Sequence, residues 1–188
     1  MKKTTILACL AVGAAVSARA EQVTPPAVPA NLEVPAGNKP FRMAHAVGTQ
    51  NYICLVPGQA WTFAGPQATL FDDDVDQTLT HFLSPNPEEG GVARATWQHS
   101  KDTSSVWAIA IQSSTDPGFV TPGAIPWLLL RAVGAAAGPN GGERMVPTTF
   151  IQRVNTVGGS APSPTCSQLG ARAFVTYETD YVFYKAGH

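Results

Sequence analysis

The sequence predicts an all-β protein, a single-domain β-sandwich or barrel of roughly eight to ten short strands with little helix. Apolar and polar residues alternate with a period of two in run after run, which is typical of half-buried strands. Glycine and proline are frequent, with 17 Gly and 16 Pro among 188 residues, and they separate these runs as turn residues do. Only 13% of the residues are charged, which argues against a coiled coil or a charge-rich disordered chain.

The chain begins with the three parts of a secretory signal peptide. Lys2 and Lys3 supply positive charge, a run of small and apolar residues follows, and positions 18–20 read Ala-Arg-Ala, which is a cleavage pattern. The apolar run is shorter than the ~20 residues that span a bilayer. We therefore expect residues 1–20 to be removed during export to the periplasm or the cell exterior, and we expect no membrane span.

The remaining chain divides into a proline-rich extended segment over 21–40 and a β-rich domain over 41–188. The prolines argue against helix in the first segment. The apolar run over 127–137 is interpreted as a buried strand, because Pro126 precedes it and Gly134 interrupts it. The sequence predicts strands over 41–47, 50–55, 61–63, 68–71, 78–83, 93–98, 105–112, 127–137, 148–157 and 175–184.

Cysteine usage fits an exported protein. Cys9 lies within the predicted signal peptide, so Cys54 and Cys166 are the pair that remains. In an oxidising compartment such a pair is expected to form a disulfide, and the long loop that it closes would stabilise the fold by roughly 3–5 kcal/mol. The alternative is a pair of buried free thiols.

Several phrases of the sequence, read together, resemble one known family, that of the exported proteins catalogued as domain of unknown function 3455. The resemblance runs from about Leu32 to Tyr184. It implies an exported β-rich domain with Cys54 and Cys166 as a recurrent pair, and it brings no established reaction. Some family members carry a malate dehydrogenase label, but this chain has neither a G-x-G-x-x-G motif nor a βαβ rhythm to support it. The phrases are GTQNYIC (48–54), ATLFD (68–72), THF (80–82), AIPWLLL (124–130), IQRVNTVGG (151–159) and the ending over 177–184.

Four residues are candidates for ligand binding: Gln50, Trp61, His81 and Trp97. An aromatic surface beside an imidazole would suit a sugar or an apolar ligand. The alternative is that the aromatic rings pack in the core and across neighbouring strands. His81 can be interpreted either as a ligand-binding or metal-binding imidazole or as a strand histidine that hydrogen-bonds the backbone. His99 is a second, weak candidate for a metal ligand, and its position in a polar turn predicts a solvated side chain.

Two charged features and one further histidine have structural interpretations. The acidic run over 72–76 lacks the pattern of an EF-hand and predicts a solvated turn rather than a calcium site. Arg153 lies in the middle of a strand, which predicts an ion pair with Glu178 or Asp180, the alternative being a ligand anion. His45 shares a strand face with apolar residues and is expected to be packed.

The sequence favours a non-enzymatic envelope or secreted binding protein for a small molecule or glycan, with no cofactor. It contains no G-x-S-x-G, S-x-x-K or H-E-x-x-H motif. Its 12 Lys and Arg residues are balanced by 13 Asp and Glu, which argues against a nucleic-acid partner. The alternatives are a small metal-assisted or hydrolytic enzyme that uses His81, and a structural surface protein without a small ligand.

Overall fold

The structure, a computed structural model, describes residues 23–56, 59–163 and 165–187, so that the predicted signal peptide lies outside the described residues. Eight antiparallel strands form a closed barrel. Each strand pairs with its neighbours in sequence, and the last strand closes the ring against the first. The strands are β1 (Asn38–Leu55), β2 (Ala60–Phe71), β3 (Gln77–Asn86), β4 (Val92–His99), β5 (Ser105–Ser114), β6 (Trp127–Ala136), β7 (Thr148–Gly158) and β8 (Arg172–Ala186).

The predicted all-β class is therefore confirmed, and of the two predicted architectures the barrel is the correct one. The predicted strands are too short at the start of the domain, because β1 continues through Gly48 for 18 residues and β2 continues through Gly65 and Pro66. A Cβ atom at Gly48 would lie 2.1 Å from the carbonyl oxygen of Gln67. Glycine at this position therefore lets β1 and β2 approach closely rather than ending the strand.

The barrel interior is filled unevenly along its axis. Large side chains such as Trp97, Tyr181 and Phe183 are fully buried toward the end that carries the β2–β3, β4–β5 and β6–β7 connections. Toward the other end, Ala95 of β4 lies directly opposite Ala108 of β5. Because alanine side chains reach only a short way into the barrel, this end is left with open space.

The proline-rich segment packs on the outside of the barrel. Its Leu32 is completely buried, in a cluster with Trp127, Leu129 and Val182. The Gln152 side chain donates a 2.7 Å hydrogen bond to the Leu32 carbonyl. The segment contains one turn of 3-10 helix over Ala30–Leu32, although its prolines argue against helix. Strands β6 to β8 consequently have apolar side chains covered on their outer face as well as on their inner face.

A disulfide joins Cys54, near the end of β1, to Cys166 in the connection between β7 and β8, with the two Cα atoms 5.9 Å apart. The predicted disulfide is thus present, and the alternative of free thiols is wrong. The bond ties the β7–β8 connection to the barrel end that holds the open space. Within the described ranges, no helix has the length and apolar character needed to cross a bilayer.

Candidate functional site

The open space inside the barrel is a cavity of about 190 Å³ to which all eight strands contribute. It reaches the surface beside Phe63 and Ala110, both of which are exposed. Its polar residues are Gln50, His81 and Arg153, together with the polar atoms of Trp97 and Tyr181. The remaining wall is apolar and consists of Phe63, Pro66, Leu83, Ala95, Ala108, Ala110, Leu128 and Leu130.

Two stacked rings form one wall of the cavity. His81 of β3 and Trp97 of β4 are register partners, and their ring centroids are 4.1 Å apart with planes 11° from parallel. The Nδ1–H group of His81 donates to the main-chain carbonyl of Thr96 over 2.8 Å. Burial lowers the pKa of His81 to about 3, so the imidazole is neutral near pH 7 and its Nε2 atom carries the lone pair.

Arg153 brings a positive charge to this mostly apolar cavity. Its Nε and Nη2 groups donate to the carbonyl of Pro126 over 3.2 and 2.8 Å. The predicted ion pair is wrong, because Arg153 faces inward beside Tyr181, whereas Asp180 faces outward and bonds His45 and Glu178 is exposed to solvent. No carboxylate among the described residues lies within 4.0 Å of the Arg153 guanidinium.

Three hydrogen-bonding groups in the cavity lining are buried without a partner of normal geometry. They are the amide Nε2 of Gln50, the indole Nε1 of Trp97 and the hydroxyl of Tyr181. These side chains are only 3%, 0% and 1% exposed, respectively. The buried hydroxyl of Tyr177 lies within hydrogen-bonding reach of Gln50 and Tyr181. Burial raises the pKa of Tyr181, and the Arg153 cation opposes that shift only in part. The phenol therefore keeps its proton, and each of the three groups can donate a hydrogen bond.

The other predicted site residues lie elsewhere. Trp61 is not among the described residues that line the cavity, and it pairs with Cys54 across β1 and β2. His99 is only 2% exposed, so the prediction of a solvated histidine is wrong. It ends β4 inside the barrel, where its Nδ1 accepts a hydrogen bond from the main-chain N–H of Lys101 over 3.1 Å. In the part of the chain that the structure describes, no His, Cys, Asp and Glu side chains form a group of three or more that could hold a metal ion.

A second polar cluster lies on the outside of the barrel. His45 was expected to be packed, but its side chain is 47% exposed, because it points outward from β1 while its neighbours Ala44 and Ala46 point into the core. Its Nδ1 atom lies 2.5 Å from Asp180 and its Nε2 atom 3.2 Å from Asp73. The hydrogen bond to Asp180 is the main reason that the pKa of His45 is raised. Asp73 belongs to the acidic run, most of which is an exposed turn, as predicted.

The fold and the cavity together define a closed antiparallel β-barrel with an internal, mostly apolar space and a small set of hydrogen-bond donors. The chain belongs to the family described as Protein of unknown function (DUF3455), whose model matches residues 35–185. The resemblance noted in the sequence is therefore confirmed. Comparisons with curated proteins and with solved structures give no match.

Sequence reasoning found three of the residues that line the cavity, Gln50, His81 and Trp97, but it did not assign Arg153 or Tyr181 to the same site. The signal for Arg153 is its charge in the middle of a strand, in a chain of which only 13% is charged. For Tyr181 the alternation of β8 indicated a buried face, but any of its aromatic residues could have been simple core.

Proposed function

We propose that this protein is an exported, non-enzymatic binding protein that holds a small and largely apolar molecule inside its barrel. The observation that carries the proposal is the cavity itself, which combines an apolar wall with buried polar groups that have no partner of normal geometry. Small-molecule sites in proteins have this composition, with a few polar groups that orient the ligand. Barrels of eight strands are wide enough to hold one small ligand.

The volume of the cavity limits the size of its ligand. Drug-sized molecules occupy sites of ~300–1,000 Å³, and the cavity measures about 190 Å³. At ~30 Å³ for each water-sized group, it accommodates about six such groups. Additional atoms of a ligand would extend toward Phe63 at the surface. The proposal therefore concerns molecules of the size of a monocyclic aromatic compound or a short aliphatic chain.

The alternative of a hydrolytic or metal-assisted enzyme that uses His81 has less support. The Nδ1–H group of His81 bonds a backbone carbonyl rather than a carboxylate that would orient it as a general base. Its low pKa of about 3 also makes it a weak base near pH 7. Stacking on Trp97 gives the ring a role in shaping the cavity wall.

A titration with toluene tests the proposed binding function. Toluene is apolar and small enough for the cavity, and it would contact the indole of Trp97. We expect saturable changes in the NMR signal of the Trp97 indole N–H when toluene is added to the full chain. Lack of saturable binding, with the protein shown to be folded, would contradict the proposal.

A cavity-filling variant provides the matched control. Ala108 lines the cavity and is 2% exposed, so the larger side chain of Ala108→Leu would occupy the space that toluene needs. The same substitution at Ala186, which is exposed near the end of β8, adds equal volume away from the cavity. We expect Ala108→Leu to abolish toluene binding and Ala186→Leu to leave it unchanged.

Mass spectrometry tests the proposal that the protein is exported. After secretion by a bacterial host, the denatured mass should correspond to a chain that begins at Glu21 and lacks the two hydrogens of the Cys54 and Cys166 thiols. Native mass spectrometry of the same sample would reveal a small molecule that remains bound. A full-length mass in the cytosolic fraction alone would contradict export without affecting the binding test.

A further inference from the structure

We infer that the ligand of the cavity carries a single carboxylate group, which binds to Arg153 and to the surrounding hydrogen-bond donors. This inference rests on the proposed binding function and specifies the class of ligand. The molecule would be a small aromatic or short aliphatic acid whose apolar part contacts the alanine and leucine side chains of the wall.

Arg153 places a positive charge in the cavity. Its side chain is partly buried, and a cation withdrawn from water is normally paired, because its transfer to an apolar interior is costly. The Pro126 carbonyl engages two of the five guanidinium N–H groups, and the Tyr181 hydroxyl lies within hydrogen-bonding reach of Arg153. No carboxylate among the described residues pairs with the charge of Arg153. The carbonyl also fixes the orientation of the side chain. An anion in the cavity would supply both the missing charge and acceptors for the remaining N–H groups.

The unpartnered groups in the cavity lining can all act as hydrogen-bond donors. The Gln50 Nε2, Trp97 Nε1 and Tyr181 hydroxyl groups are buried without a partner of normal geometry. In native proteins at least ~90% of buried polar groups are hydrogen-bonded. Gln50 and Tyr181 lie within hydrogen-bonding reach of Tyr177, so Trp97 Nε1 is the donor that gains most from an acceptor in the cavity. The two oxygens of a carboxylate offer about four acceptor sites.

The number of positive charges in the cavity favours a monoanion. Arg153 is the one cationic side chain among the described residues that line the cavity. His81 adds no second positive charge, because burial and the nearby Arg153 both lower its pKa. A single cation in an apolar cavity matches a monoanion better than a phosphate monoester, whose charge at pH 7 is about −1.5 to −2.

The experiment compares benzoate with benzamide at pH 7, since the two molecules have nearly the same shape and differ in charge. Toluene serves as the apolar reference. We expect the wild-type chain to bind benzoate at least about ten-fold more tightly than benzamide, because hydrogen bonds to charged groups are worth ~1.5–3 kcal/mol. Equal binding of benzoate and benzamide, with toluene still bound, would refute the carboxylate inference and leave the proposed function intact. Failure of all three probes would overturn both.

An Arg153→Met variant tests whether Arg153 is the source of the preference for benzoate over benzamide. We expect it to weaken benzoate binding by roughly 10–100-fold and to change toluene binding much less than benzoate binding. Arg131→Met is the matched control, because Arg131 is exposed on the outer face of β6. A benzoate preference that survives in a folded Arg153→Met protein would overturn the inference. If that variant does not fold, Gln50→Leu replaces it and should weaken benzoate binding more than toluene binding.

Discussion

Acidification should destabilise this protein through His81, which is buried and only 4% exposed. Burial lowers its pKa from 6.5 to about 3 in the folded chain. Between these two values the unfolded chain holds a proton on this residue that the folded chain does not hold. The free energy of unfolding therefore rises with pH across this window, and the contribution of His81 is lost as the pH falls from about 6.5 toward 3.

The size of this effect follows from the pKa difference. One pKa unit corresponds to ~1.4 kcal/mol, so two pH units below 6.5, near pH 4.5, the neutral His81 costs the folded state about 3 kcal/mol. At pH 3 the loss approaches about 5 kcal/mol. A typical domain has a total stability of ~5–15 kcal/mol. The titration of this one side chain therefore accounts for a large part of the expected acid sensitivity.

Urea unfolding followed by tryptophan fluorescence between pH 7.5 and 4.5 measures this dependence. His81→Asn is the informative variant, because its amide can still donate to the Thr96 carbonyl but does not titrate. We expect the stability difference between pH 7.5 and 4.5 to be about 3 kcal/mol smaller in His81→Asn than in the wild type. An identical pH dependence of the two proteins would refute the reasoning, because the carboxylates contribute equally to both.

Three further predictions concern stability. Replacing both Cys54 and Cys166 with alanine should lower the free energy of unfolding by roughly 3–5 kcal/mol, since the disulfide spans 112 positions of the chain; an unchanged urea midpoint would contradict this. Gly48→Ala should destabilise the protein by ~1–3 kcal/mol or more, because the new Cβ would lie 2.1 Å from a carbonyl oxygen of β2; thermal unfolding measures the loss, and a wild-type melting temperature would show that the strands can separate without cost. His45 should titrate by NMR above pH 6.5, because its hydrogen bond to Asp180 raises its pKa, and a titration at or below 6.5 would contradict the assignment. The contribution of His45 to stability is full below pH 6.5 and is lost as the pH rises through the raised pKa. His45→Gln should therefore remove a pH dependence of stability that is opposite in sign to that of His81.

The strands of this barrel could be predicted because their inner and outer faces differ in polarity for much of their length. The alternation in β8 placed Tyr177 and Tyr181 on one face, and the structure buries both in the interior. Barrel and sandwich could not be distinguished, because both require the same alternation. The distinction depends on whether the first strand pairs with the last. In the structure β1 pairs with β2 along one edge and with β8 along the other, which closes the barrel.

The role of Arg153 could not be predicted for a related reason. Both faces of β7 are covered, the inner face by the barrel core and the outer face by the proline-rich segment. Gln152 is therefore buried on the outside, where it bonds Leu32, and alternation gives no sign of which face Arg153 occupies. The exposure of His99 was predicted wrongly for a different reason. Its polar sequence neighbours predicted a side chain exposed to solvent, but the side chain turns into the barrel.

The cavity and the stability of the fold are coupled through the same residues. Small side chains at Ala95 and Ala108 leave the space. Buried donors beside it that lack a normal partner, above all Trp97 Nε1, cost stability when no acceptor is present. A ligand that accepts their hydrogen bonds reverses this loss and stabilises the folded state by RT ln(1 + [L]/Kd). If the inference is correct, benzoate at 100 times its Kd should add about 2.7 kcal/mol to the free energy of unfolding. At the same benzoate concentration, the 10–100-fold weaker binding expected for Arg153→Met should reduce this gain to roughly 0.4–1.4 kcal/mol.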